Sequence, residues 1–405
     1  MKPEPQLGLR ENWKQFTLLV VINAFVGGMV GLERSIFPQY AETIFGVTSK
    51  TAMLSFITAF GISKALANYY TGRMANVMGR KRLLVLGWGI ALPVPLILMS
   101  AGHWNWVVFA NILLGVSQGL TWSSTVVMKI DLAGPRQRGL AMGLNEFSGY
   151  LAVGLVAFLS GFLASRFGLV PYPFYLGVFL AVTGLLLSLI WVRDTRGFVH
   201  QETRTDQTRA LEHVFWDTTL RHRTLSSVTQ AGLVNNLNDG MIWGLFPALL
   251  YLKDFDLAQI GVLTAIYPAV WGLGQIATGK MSDHIDFKKM LFWGMLLQAL
   301  AIAFLPPSGG FWLLALLAGL LGIGTALVYP TFLNAIASAT PPKQRAESVG
   351  VFRLWRDLGY AFGAVISGIT ADLFGLEAAI WLTAGLTLLS AGVIALRMPG
   401  AGRPT

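Results

Sequence analysis

The chain has 405 residues, 54% of them hydrophobic and only 12% charged, with a formal net charge of +10 and no cysteine. A soluble domain carries about 25% charged residues, so repeated apolar runs at this composition point to an all-α membrane protein with many spans. The absence of cysteine excludes disulfides, thiol chemistry and cysteine-held metals.

The opening stretch "MKPEPQLGLRENWKQF" is polar and lacks an apolar core followed by a small-residue cleavage site. It reads as a short cytoplasmic lead and not as a signal peptide. Twelve spans follow, near 15–39, 50–75, 82–101, 104–130, 137–166, 171–193, 224–251, 258–282, 288–306, 310–338, 344–373 and 376–397. Of the 30 Lys and Arg residues, 23 fall at the N-terminus, the C-terminus and the connections 2–3, 4–5, 6–7, 8–9 and 10–11. The opposite connections hold Lys50, Arg166 and Lys253. This bias predicts that both termini lie in the cytoplasm of a cell-membrane protein. The basic balance is therefore a topology signal, and no nucleic-acid partner is expected.

Residues 194–223 are the one long polar stretch and read as a cytoplasmic linker with some amphipathic helix. They separate an N-terminal six-span bundle, 1–193, from a C-terminal one, 224–405. The two parts repeat each other. "TGRMAN" at 71–76 returns as "TGKMSD" at 278–283, and "PRQRGLAMG" at 135–143 as "PKQRAESVG" at 342–350. "SGFLASRFG" at 160–168 returns as "SGITADLFG" at 367–375, all three at an offset of 207. Such weak internal symmetry between six-span halves is a transporter pattern.

On these residues the chain resembles the major facilitator superfamily over nearly its whole length. The segment "GRMANVMGRKR" is similar to that family's signature G-x-x-x-D-R-x-G-R-[RK]: Gly72, Gly79, Arg80 and Lys81 match, whereas Asn76 replaces Asp and Val77 replaces Arg. The second copy, "GKMSDHIDFKK", keeps Gly279 and Asp283. The resemblance implies twelve transmembrane helices in two pseudo-symmetric bundles, a polar cavity between them, alternating access, and a gating role for Gly72, Asn76, Gly79, Arg80, Gly279 and Asp283. A carboxylate at Asp283 would cap a neighbouring helix N-terminus. Two departures count against a drug antiporter: Asn111 stands where span 4 would carry an Arg, and span 5 has no Gly-Pro motif. Sugar-porter signatures are not evident.

Eight charges fall inside spans: Arg34, Lys64, Arg353, Arg356, Glu33, Glu146, Asp239 and Asp357. A charge at the centre of a membrane helix costs roughly 2.5–3.5 kcal/mol on insertion scales. The offset of 207 sets Glu146 opposite Arg353, as an ion pair between the halves or as two groups facing one substrate. In "VFRLWRDLGY", Arg353 and Asp357 are at i, i+4 and Arg353 and Arg356 at i, i+3, so the three can share a face. The bland reading is an Arg353–Asp357 pair with Arg356 on carbonyls; the sharper one is a cationic site for a carboxylate or phosphate. Phe352 and Trp355 fall on other faces, so an aromatic box is not expected there. "NNLNDG" adds Asn235, Asn236, Asn238 and Asp239 in span 7, and Lys64 sits mid-span in span 2, where the bland reading is snorkelling.

Candidate substrate ligands are Arg34, Lys64, Asn235, Asn236, Asp239, Arg353 and Arg356. Candidate proton-coupling carboxyls are Glu146, Asp239 and Glu33, in that order, together with Asp357, because burial and a neighbouring cation oppose each other at such a group. The expectation is a secondary transporter, proton-coupled, for a small organic anion or an amphiphile with an anionic group. The alternative is a proton-coupled exporter of drugs or lipophilic cations; a receptor or scaffold leaves the buried charges without a role. His103, His200, His213, His222 and His284 lie outside the spans or at their edges without metal-ligand spacing, and no nucleotide-binding motif is present. No enzyme, cofactor or metal is expected. Expected partners are a small-molecule substrate, H+ and membrane lipid, and a monomer is expected.

Overall fold

The computed structural model describes residues 6–34, 36–47, 50–205, 208–255 and 257–400, and the side chain of Arg34 lies outside the described residues. Each span is a helix. The first is α1 (Trp13–Arg34), followed by a separate short α2 (Phe37–Phe45), where the hydropathy predicts one run to residue 39. Then come α3 (Lys50–Met78), α4 (Arg80–Ala91), α5 (Pro93–Ser100), α6 (Trp104–Ala133), α7 (Arg138–Phe167) and α8 (Tyr172–Ile190). Span 3 is built from α4 and α5, broken at Leu92 because Pro93 has no N–H to donate. The linker holds α9 (Arg196–Thr205) and α10 (Val214–Trp216), the latter continued by a π-helical turn, Asp217–Arg221. The remaining spans are α11 (Arg223–Leu252), α12 (Leu257–Met281), α13 (Phe287–Phe304), α14 (Phe311–Ala339), α15 (Pro342–Phe374) and α16 (Leu376–Arg397).

Among the described residues seven helical stretches are long and apolar enough to cross a membrane by themselves. Of the other spans, α6, α11 and α15 carry Asn111, Asp239 and Arg353. Polarity within a bundle is thus concentrated in helices that need neighbours to be tolerated in lipid.

The chain divides into two compact units. Unit 1 is Met1–Arg136, Asn145–Gln207 and Pro341–Gly350; unit 2 is Gln137–Leu144, Thr208–Thr340 and Val351–Thr405. In unit 1, α6 packs on α1, α3 and α4, and α8 packs on α1 and α4. In unit 2, α14 packs on α11, α12 and α13, and α16 packs on α11 and α13. These are the same five pairings moved along the chain by one repeat. Close helix contact in each unit depends on glycine. In unit 1 a Cβ at Gly27 or Gly31 of α1 would come within 2.2 or 2.3 Å of a carbonyl oxygen of α7. In unit 2 a Cβ at Gly359 or Gly363 of α15 would come within 2.3 or 2.4 Å of a carbonyl oxygen of α11. Lipid offers no hydrophobic drive for helix association, so small residues spaced by four supply the contact area.

Candidate functional site

In unit 1, Glu33 near the end of α1 is buried, and its side chain hydrogen-bonds the amide of Asn111 on α6. The residue that replaces the drug-antiporter Arg is therefore the partner of a buried carboxyl. Polar pairing between α1, α6 and α7 continues deeper. Asn23 donates to the carbonyl of Asn145 at 2.8 Å and accepts from Thr125 at 2.9 Å. Asn145 in turn donates to Glu146 Oε1 at 2.6 Å, and Glu146 is fully buried. Lys64 is half-buried between two rings, 5.4 Å from Trp122 and 5.5 Å from Phe60. A cation over aromatic faces is held by their quadrupoles.

Lys129 is a correction to the sequence reading. Grouped there with the 4–5 connection, it is fully buried in α6 and donates to the carbonyl of Leu19 at 3.2 Å. Arg80 is also interior. It forms an ion pair with Asp131 at 3.2 Å, both side chains about 1% exposed, and donates to the carbonyl of Ala75 at 3.1 Å. Asp131 accepts from Thr195 at 2.7 Å. Glu202, on α9, takes both arms of Arg345, at 2.8 and 2.9 Å. These four charges cancel, and all belong to unit 1. Sequence reasoning found Arg80 but not Asp131, Glu202 or Arg345 as its company.

In unit 2, Asp239 lies on α11 where two phenols reach it. Tyr267 donates to Oδ1 and Tyr360 donates to Oδ2 at 3.3 Å, with Thr325 3.3 Å from the Tyr267 hydroxyl. The positions on α12 explain the wall beside it. Tyr267, Trp271 and Gln275 follow at intervals of four, so they share one face. Trp271 stacks on Tyr267 at 5.9 Å and meets Tyr329 of α14 at 5.1 Å. Tyr329 donates to Asn236 at 3.3 Å. Among the described residues, the amide atoms of Asn235 and Gln275 have no hydrogen-bond partner although both residues are fully buried. An unsatisfied buried polar group costs about 1–3 kcal/mol, so these amides are expensive features of the protein as a fold. Asn238 belongs elsewhere: it donates to Gln298 at 3.1 Å and accepts from Thr387 at 2.7 Å.

All three charges of "VFRLWRDLGY" are buried. Arg353 is fully buried. Asp357 takes Arg356, its neighbour in sequence, through Nε and Nη2 at 2.9 and 2.7 Å. The guanidinium of Arg356 also lies 5.5 Å from the Tyr329 ring and 5.9 Å from that of Phe352. Aromatic company is thus present after all: Phe352 comes from one turn back on α15 and Tyr329 from α14. Trp355 turns away and donates to Thr219 at 3.1 Å.

The two copies of the signature loop behave differently. Asp283, half-buried after α12, accepts from the N–H groups of Gly139 at 2.6 Å and Leu140 at 2.9 Å, the first turn of α7. Burial pushes its carboxyl above the usual range, opposed by those two N–H groups and by Asn334. A Cβ at Gly279 would lie 2.6 Å from the carbonyl oxygen of Gly139. In the first copy Asn76 is exposed and donates to the carbonyl of Lys343 at 2.5 Å. Gly72 has its close approach to Ala346, and Gly79 adopts φ +88° before α4. The first copy keeps the arginine of the signature and the second keeps the aspartate.

A sequence model described as Major Facilitator Superfamily matches residues 17–233 and 228–404. Multidrug resistance protein MdtG of Salmonella typhimurium is 24% identical over 394 residues, covering 94% of each chain. An uncharacterised MFS-type transporter of Methanocaldococcus jannaschii is 23% identical over 358 residues, 86% of this chain and 88% of its own. Among solved structures, the human organic anion transporter MFSD10 superposes with a TM-score of 0.74 at 17% identity, over 95% of this chain and 99% of its own. The proton:xylose symporter XylE gives 0.71 at 13% identity, over 96% and 97%.

Proposed function

The chain belongs to the major facilitator superfamily, and on that footing we propose that it is a proton-coupled secondary transporter, multi-pass in the cell membrane, for small organic anions or amphiphiles with an anionic group. One relative is named an MFS-type transporter and another a multidrug resistance protein. The observation that carries the coupling is Glu33, a buried carboxyl whose hydrogen-bond partner is the neutral amide of Asn111. An amide stabilises a carboxylate less than an arginine does, so such a group exchanges its proton as its surroundings open and close. Asp239, held by the phenols of Tyr267 and Tyr360, has the same chemistry in unit 2. Glu146 is the third candidate.

The preference for an anion rests on Arg353, buried in α15, and on Lys64. Arg356, paired with Asp357, belongs to the same stretch of α15. Asn235, Asn236 and Gln275, beside Trp271 and Tyr329, would take the uncharged body of the substrate. Asp283, accepting from the first turn of α7, acts as a latch in this reading, and the basic bias supports a cytoplasmic position for it and for both termini.

A second reading, export of drugs or lipophilic cations, is favoured by the MdtG relatives and by the same carboxyls. Uptake into proteoliposomes under an imposed pH gradient separates the two. The anion reading expects accumulation of organic anions, and Glu33→Gln should abolish gradient-driven accumulation while leaving substrate exchange. Transport of lipophilic cations alone would replace it with the exporter reading. Gradient-driven accumulation in Glu33→Gln would remove Glu33 from coupling.

A further inference from the structure

The segment 214–221 runs directly into α11, whose body spans the membrane, so it lies at the level where lipid meets water. It is not a loose connection. Thr218 is buried, Thr219 receives the indole N–H of Trp355, and Arg397 at the end of α16 donates to the carbonyls of Leu220 and Arg221 and to Ser226. Its other side is apolar and uncovered. Trp216 and Leu220, four residues apart, are 51% and 60% exposed, and Leu396 beside Arg397 is 91% exposed. Along the same stretch of chain Arg209, Arg221 and Arg223 are exposed, as is Arg397 at the end of α16. The acids of the same stretch are Glu212 and Asp217, and Asp217 accepts from the N–H of His213 at 2.9 Å.

We propose that this face of unit 2 is a docking site for anionic phospholipid. Trp216 and Leu220 enter the boundary between headgroups and acyl chains, and Arg221 and Arg223 meet the headgroup phosphates. Tryptophan prefers that boundary because its ring is apolar and its N–H is not. An amphipathic segment lies in the interface when apolar burial and attraction to anionic lipid act together. Charge complementarity selects the occupant: four arginines against two acids favour a phosphate surface over an apolar protein partner. Rigid attachment to Trp355 and Arg397 means the lipid would engage a preformed face.

The test uses the full chain reconstituted in vesicles carrying acyl-brominated phosphatidylglycerol or, at the same mole fraction, acyl-brominated phosphatidylcholine. Quenching at Trp216 is read as the difference between the wild type and Trp216→Phe. Phosphatidylglycerol should quench Trp216 more strongly. That preference should fall roughly fivefold for each arginine removed in Arg221→Gln and Arg223→Gln, the equivalent of about 1 kcal/mol apiece. Arg221→Lys with Arg223→Lys, which keeps both charges, should retain most of it and serves where the glutamine variant folds poorly. Equal quenching by the two lipids, an unchanged preference in the glutamine variant, or no quenching of Trp216 by either lipid would overturn the proposal.

Discussion

Removing the Asp283 carboxylate should loosen the first turn of α7 in a graded way. The first N–H groups of a helix have no partner within it. Here Gly139 and Leu140 both give theirs to Asp283, at 2.6 and 2.9 Å. Loss of a helix-capping side chain costs about 0.5–2 kcal/mol, and hydrogen bonds to a charged group about 1.5–3 kcal/mol each. Because water can reach the half-buried site and recover part of this, Asp283→Ala should cost about 2 kcal/mol locally. Exchange of the Gly139 and Leu140 amides should then speed up roughly 30-fold if it proceeds through local opening. Asp283→Asn keeps one acceptor and loses the charge, so about 1 kcal/mol and roughly fivefold are expected. Asn76→Ala should leave these two amides unchanged, because Asn76 is a donor to the carbonyl of Lys343. The assay is hydrogen exchange by mass spectrometry on peptides covering 137–144 in detergent. Unaltered exchange in Asp283→Ala, or an equal effect from Asn76→Ala, would refute the reasoning.

Two further outcomes follow from the buried groups. Glu202→Gln should destabilise unit 1 by about 3–5 kcal/mol, since it leaves the buried cluster of Arg80, Asp131 and Arg345 with one positive charge in excess, and a second change, Arg345→Met, should restore much of that loss; strictly additive losses in melting temperature would contradict a shared pair. His222 caps α11 by accepting from the N–H of Leu225, and burial lowers its imidazole below the ordinary 6.5 although Asp217 pulls the other way. In the window between the lowered value and 6.5 the unfolded chain binds a proton that the folded one does not. Its contribution is therefore complete above pH 6.5 and lost as pH falls through the lowered value. His222→Asn, a capping residue that does not titrate, should flatten the fall in melting temperature over that acid range; an unchanged slope would assign the titration to another group.

Much of the fold was legible because its signals are local. Span length, basic bias and the offset of 207 need no knowledge of packing, and the boundaries of most helices fall within a few residues of the hydropathy runs. The site was legible only as a shortlist of charged residues. Partner choice depends on which helix faces which. Glu33 meets Asn111 because α1 packs on α6, and no spacing rule connects positions so far apart. Asp131 and Lys129 were hidden by their place at the end of an apolar run, where a charge normally meets water. Glu202 was hidden in a polar linker of many charges. The aromatic wall was available: Tyr267, Trp271 and Gln275 mark one face of α12 at helical spacing. The pairing of Arg356 with Asp357 is not given by helical spacing: adjacent side chains can fold toward each other when one is an arginine with a long stem.

The assignment of 137–144 to unit 2 and 341–350 to unit 1 bears on whether this gene could ever be divided. Consider a chain cut between α9 and α10 and made as two polypeptides. The first would hold Arg80, Asp131 and Glu202 without Arg345, and so would have to bury one negative charge in excess or release α9. It would also carry the start of α7 without Asp283, leaving the N–H groups of Gly139 and Leu140 unclaimed. The second would hold an aspartate and an arginine whose counterparts were made elsewhere. Each polypeptide would be short of a piece that its sister encodes, so the pair should persist in a cell only when both are synthesised together. The two repeats thus form a single heritable unit, because each unit is completed by a segment that the other half of the chain encodes.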